Sequence, residues 1–208
     1  MQQRAARTQE ALIHAAAEEF DRRGYEGASL SRISKGAQAS MGALTFHFHT
    51  KGELARAVRA EGRKALAPVV RGFTDGTGAP LEALAGLTAA LVRLLERDVV
   101  VRAAVRLERD GPRETEEREL AGEWVPALRM LLERAAEAGQ LRPEAPPVTV
   151  AALLAWLVEG SWAEIGRLGA RLPGATGRPA PEDVWDLVLY GVSGTGRPGH
   201  AGADEARR

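Results

Sequence analysis

"SLSRISKGAQASMGALTFHFHTKGEL", residues 29–54, decides how this chain folds. Ser29 stands ahead of a short run carrying Leu30, Ile33 and Ala37 at helical spacing, and its hydroxyl can cap that helix. Gln38-Ala39 breaks the run, and Ser40 can cap a second short helix reaching about His47. Within it Leu44 and Phe48, four apart, share one face. Thr50 can cap a third helix that starts at Lys51 and holds Leu54 and Val58 on one side. Upstream, residues 8–23 read as an amphipathic helix, with Leu12, Ala16 and Phe20 at i, i+4, i+8 and Gly24 placed to end it. Short helix, tight turn and short helix, hung on flanking helices, is helix-turn-helix geometry.

Past residue 66 the helices lengthen and are set off by Gly and Pro. "DGTGAP" (75–80) ends one helix and starts the next, expected from Leu81 to about Arg97. "VVVRAAVRLERDG" (99–111) gives a further helix, stopped at Gly111-Pro112. Residues 115–138 read as a long helix with Leu120, Trp124, Leu128, Leu131 and Ala135 at helical spacing. "PEAPP" (143–147) separates it from 149–170, where Val150, Leu153, Leu157, Ser161, Ile165 and Leu168 recur on a face. A loop over 171–181 leads to a last helix at 182–192. Few period-2 segments compete, so the chain reads as all-α. The expected organisation is an N-terminal three-helix helix-turn-helix domain over 5–66, a larger helical bundle over 67–193, and a Gly-rich tail over 194–208 that is expected to be disordered.

Composition narrows the function. Hydrophobic residues make up 45% and charged residues 27%, ordinary globular usage. The 208 residues include no cysteine, which removes disulfides, thiolate nucleophiles and thiolate metal sites and fits a reducing cytoplasm. "MQQRAARTQE" has no apolar signal core, and no stretch has the apolar length to span a bilayer, so a soluble cytoplasmic protein is expected. The formal net charge is zero, but residues 1–66 hold eleven basic against seven acidic residues, a net +4, leaving −4 on the rest. A basic head on an acidic body fits phosphate contacts confined to one end.

"EEFDRRGYEGASLSRISKGAQASMGALTFHFHTKGEL", residues 18–54, resembles the DNA-binding domain of TetR-type transcriptional regulators. The marks are Phe20, Gly24-Tyr25, Ile33, Ala37, Gly42, Leu44, His47-Phe48, Lys51 and Leu54. Within that family "DRRGYEGASL", "GALTFHFHTKGELARAV", "VVVRAAVRLERD" and "GEWVPALRMLLERAAEAGQL" look most like the γ-butyrolactone autoregulator receptors of actinomycetes, a likeness that fades after about residue 141. Lysine appears only at 35, 51 and 64 while arginine is plentiful, the usage of a GC-rich genome.

The resemblance implies that the second short helix lies in the major groove. Met41, Gly42, Ala43 and Thr45 then face bases or nearby backbone, and Ser29, Arg32, Ser40, His47 and Lys51 complete the expected DNA-binding set. Family members mostly carry Lys or another polar residue where Met41 stands, Tyr where Thr45 stands and Gly where Gln38 stands. Exchanging Lys for Met removes a cation that can reach guanine or phosphate, though methionine can still pack on a thymine methyl. Either the operator is altered or DNA binding is relaxed; the intact caps and apolar framework favour an altered operator.

On the ligand side, Trp124 matches a tryptophan of the signal-binding pocket of the butyrolactone receptors, where an indole can cover a lactone ring. By spacing alone, on a stripe with Leu120 and Leu128, it is ordinary core, and Pro126 is placed to kink its helix. Val101, Val105, Leu128 and Trp162 are the other wall candidates, and each reads more readily as ordinary core. The resemblance therefore implies a repressor that binds operator DNA as a homodimer, paired through 149–170 and 182–192, and that a small apolar signal such as a γ-butyrolactone releases. Two alternatives are a pseudo-receptor answering an antibiotic or intermediate, and a ligand-sensing bundle with weakened DNA binding that acts through protein contacts. No catalytic residue, metal site or cofactor is expected. His47 and His49 do not share a helix face, and "GTGRPG" (194–199) follows no strand and opens no helix. The run "RETEEREL" (113–120) reads as a solvated helix face.

Overall fold

The computed structural model describes residues 2–76, 78–111, 120–164, 187–188 and 190–193. They form eight helices: α1 (Gln2–Gly27), α2 (Leu30–Gly36), α3 (Met41–His47), α4 (Lys51–Thr74), α5 (Pro80–Arg97), α6 (Val99–Asp110), α7 (Ala121–Glu137) and α8 (Pro147–Glu164). Residues 187–188 and 190–192 are helical, inside the helix expected at 182–192. Extended pairing among the described residues amounts to one antiparallel bridge, Leu141 to Ser193. The all-α expectation holds. The rest of that last helix, the end of 149–170, the segment "RETEEREL" apart from Leu120, and the tail 194–208 lie outside the described residues.

Local signals set most helix ends. Ser29, Ser40 and Thr50 each accept an amide proton from the third residue on, those of Arg32, Ala43 and Glu53. Glu53 answers by accepting the His49 amide at 2.9 Å, close to a capping box. Asp98 takes the amides of Val100 and Val101 at 2.8 and 3.2 Å, so α5 and α6 meet at one residue. α1 begins at Gln2, ahead of the expected residue 8, because "QQRAART" holds good helix formers and neither Gly nor Pro. Its regular course ends as expected at Gly24, whose φ of 69° is in the left-handed region, and one further turn follows. The Arg106 guanidinium lies 3.2 Å from where a Cβ at Gly24 would stand, and it donates to the Asp21 carbonyl.

Gln38 also has positive φ, 53°, in the turn between α2 and α3. A side chain there is strained, and glycine relieves it without touching another residue. Gln38→Gly is expected to stabilise the protein by about 1 kcal/mol, raising the urea midpoint of the head. An unchanged or lower midpoint contradicts the assignment of strain.

Two apolar clusters divide the molecule. The first joins Leu12, Ala16 and Phe20 of α1, Ile33 of α2, Leu44 of α3 and Leu54 and Val58 of α4, and takes Ala103 and Leu107 from α6. The second joins Leu66 and Val70 of α4 with Leu84, Leu87 and Leu91 of α5, Ala104 of α6, Trp124, Leu128 and Leu131 of α7, and Val150, Leu154 and Val158 of α8. Both α4 and α6 therefore belong to both clusters, and α4 runs unbroken through position 66. Arg102 of α6 adds polar ties, donating to Asp21 of α1 at 3.0 Å and to the carbonyls of Leu95 and Glu96 at the end of α5.

α8 presents a different stripe from the one expected. Val150, Ala151, Leu154 and Val158 turn inward, while Leu153 and Trp156 are exposed. "VTVAALLAWLV" is apolar on all sides, so periodicity alone fixes no face, and packing on α5 and α7 selects one.

Candidate nucleic-acid interface and apolar interior

α2 and α3 are each seven residues long, too short to persist alone, and two buried anchors hold α3 in place. Leu44 is fully buried and Phe48 nearly so, in the cluster built on Phe20 and Ile33. The turn before α3 is closed by the Gln38 amide on Lys35 O at 3.1 Å and the Ala39 amide on Ser34 O at 2.9 Å. With one side pinned, the opposite side of α3 faces solvent. Met41 is 43% exposed, Gly42 and Thr45 are exposed, and Ala43 and His47 are half-buried.

Phe46 is 76% exposed on the side of Gly42 and meets the His47 ring edge-on at 5.2 Å. It was not among the residues expected to face DNA. It lies one turn beyond Gly42, opposite Leu44 and Phe48, so a helical projection of "MGALTFH" carries the signal. Thr45 turns its hydroxyl back on the helix, donating to Met41 O and Gly42 O at 3.1 Å each.

The expected cations are engaged within the head. Glu19 is a buried carboxylate on α1; Arg32 of α2 donates to it from Nε, and Arg23 of α1 from Nε at 3.3 Å. Burial raises its pKa, but hydrogen bonding to Arg32 and the charges of Arg32 and Arg23 outweigh this and hold it below the ordinary glutamate value. Arg32 also donates to Gly27 O. Lys51 Nζ donates to Tyr25 O at 2.8 Å and lies 4.4 Å from the centre of the Tyr25 ring. Lys51 thus ties the start of α4 to the end of α1, and Ser29 and Ser40 serve as caps.

In the bundle, Trp124, Leu128 and Val101 are fully buried and Val105 is half-buried. Trp124 and Leu128 sit within the second cluster, with Val105 packed against it. The side chain of Trp162 lies outside the described residues. α7 continues as one helix through Pro126, which is exposed. The cluster that holds Trp124, drawn from α4, α5, α6, α7 and α8, is built of apolar residues. Among the described residues no cluster of three His, Cys, Asp or Glu could hold a metal, and no helix is long and apolar enough to cross a membrane.

Residues 12–58 match the family described as bacterial regulatory proteins, tetR family. Over 96% of its length the chain is 29% identical to the A-factor receptor protein of Streptomyces griseus, covering 68% of that protein. A crystal structure of a γ-butyrolactone receptor, ArpA-like, superposes with a TM-score of 0.75 at 27% identity, over 92% of this chain and 90% of that one. The TetR family protein CprB from S. coelicolor A3(2) is 30% identical with a TM-score of 0.69, over 89% of each chain. CprB in complex with its biological operator sequence gives 0.72 at 29% identity, over 91% and 90%. A helix-turn-helix head held on a larger helical body, matched along nine-tenths of a TetR protein, places this chain in the TetR family of bacterial regulatory proteins.

Proposed function

We propose that this chain is a cytoplasmic, ligand-responsive transcriptional repressor. It binds operator DNA as a homodimer, is released by a small apolar signal such as a γ-butyrolactone, and performs no chemistry on that signal. Gly42 carries the reading. It lies in an exposed stretch of α-helix, where glycine is less favourable than alanine by up to about 1 kcal/mol. A Cβ added there would meet nothing nearer than Ser40 Oγ, at 3.9 Å. Nothing inside the protein calls for glycine at this position. A backbone that must come close to a second molecule does, and α3 is the helix that lies against DNA in this motif.

The signal acts on the apolar interior around Trp124. It shifts the protein only by its differential affinity for the DNA-binding and released states. Because α4 and α6 belong to both apolar clusters, a repacked bundle moves the head with it. Reading helices that must sit about 34 Å apart then lose their register. Pairing uses exposed apolar residues of the body, Leu153 and Trp156 of α8 with Leu187 and Tyr190.

Gly42→Ala tests the DNA side. It should leave the unfolding midpoint unchanged or slightly raised while weakening a gel-shift complex with the region upstream of its own gene about tenfold, the scale of a mismatched base pair. Undiminished binding by Gly42→Ala sinks the assignment of α3 as the reading helix.

A further inference from the structure

The outer face of α3 has an unusual chemistry for a surface that meets DNA. Across it lie Met41, Gly42, Thr45 and Phe46, with no Lys, Arg, Asn or Gln in the helix. The side chains that most often read bases by paired hydrogen bonds are therefore absent from α3. Thr45 has its hydroxyl proton turned onto the carbonyls of Met41 and Gly42, so it offers a methyl group and an acceptor lone pair outward. Arg32 and Lys51, the nearest expected cations, are held by Glu19 and by Tyr25 O respectively. The most exposed large apolar side chain of α3 is Phe46, 76% exposed and one turn beyond a glycine.

An exposed phenylalanine that contributes nothing to the core is a liability in water. In the major groove one apolar group is available to cover it, the 5-methyl of thymine. We propose that this protein reads its operator chiefly through thymine methyl groups, with Phe46, above Gly42, as the principal reading residue and with Met41 and the Thr45 methyl, four apart, on the adjoining flank of the helix. The inference rests on the DNA-binding reading of α3 and names the feature of DNA that α3 recognises. The hydrogen-bonding edges of the bases then contribute little through this helix, and A·T pairs at fixed positions in each half-site carry the sequence preference.

The test separates this inference from the reading beneath it. A randomised duplex pool is enriched on the full-length protein, and the best duplex is synthesised twice, once with thymine and once with deoxyuridine at every T. The two differ only by the methyl groups. With one methyl buried per half-site, about fourfold each, the unmethylated duplex should bind about fifteenfold more weakly. Phe46→Ala, a substitution at an exposed position, should bind the two duplexes within about twofold of each other. Equal binding of both duplexes by the unaltered protein overturns thymine reading. A full methyl preference retained by Phe46→Ala overturns the role of Phe46. Failure to enrich any duplex overturns the DNA-binding reading itself.

Discussion

Trp124→Ala is expected to lower the unfolding free energy by about 3–5 kcal/mol, read as a fall in the urea midpoint at unchanged slope. The indole is fully buried and belongs to the cluster that unites α4, α5, α6, α7 and α8. Removing it leaves a void whose walls are helix-borne leucines, which can close only part of the gap. A loss of that size is a large share of the 5–15 kcal/mol typical of a domain. Trp124→Phe distinguishes packing from signal recognition. Phenylalanine restores most of the apolar volume but not the breadth of the indole. If Trp124 is packing alone, Phe recovers both the midpoint and the release of operator by a γ-butyrolactone. If the indole covers the signal, Phe recovers the midpoint and leaves release impaired. A fall below about 1 kcal/mol for the alanine variant shows that the interior around this ring is loosely filled.

The head was legible in the sequence because its signals are local. Ser29, Ser40 and Thr50 act within three residues of themselves, and each caps the helix expected of it. Leu44 and Phe48 define one side of α3, and that fixes the other. What was lost is what depends on distant partners. Nothing near Lys51 in sequence indicates that its ammonium reaches the Tyr25 carbonyl, 26 residues earlier, or that Arg32 is drawn to Glu19. Their charge was legible and their engagement was not. Phe46 was missed for another reason, since an aromatic residue inside an apolar run reads as core until the run is projected around the helix. In α8 even projection fails: with apolar residues on all sides, whether Leu153 or Leu154 points inward is decided by α5 and α7. The same ambiguity leaves Leu153 and Trp156 on the surface, where a second chain can cover them.

Gly62→Ala is expected to destabilise the protein by about 2 kcal/mol, although alanine is the better helix former. Gly62 lies in α4 between Val58, in the cluster of the head, and Leu66, in the cluster of the body. A Cβ at Gly62 would stand 2.6 Å from the Ala104 Cβ of α6 and 3.6 Å from Val100 O. The obstructing atom is fixed to a helix backbone and has no rotamer to escape into, so α4 and α6 must part. Their separation opens both clusters at once, because Ala103 and Leu107 face one cluster and Ala104 the other. The clash belongs to one pair of atoms, and Ala104→Gly should relieve it. In a double-mutant cycle the paired variant should regain about 1–2 kcal/mol over the sum of the single effects, since the second substitution vacates the space that the first requires. Strict additivity would mean that the two helices are not in contact at this point. The close approach matters beyond stability, because α4 begins at the end of the helix-turn-helix and α6 ends beside Gly24 of α1. A methyl group of separation at Gly62 changes how the head is held relative to the body. The same substitution should therefore shift the concentration of signal needed to release operator, whereas Gln38→Gly, confined to the turn of the head, should not.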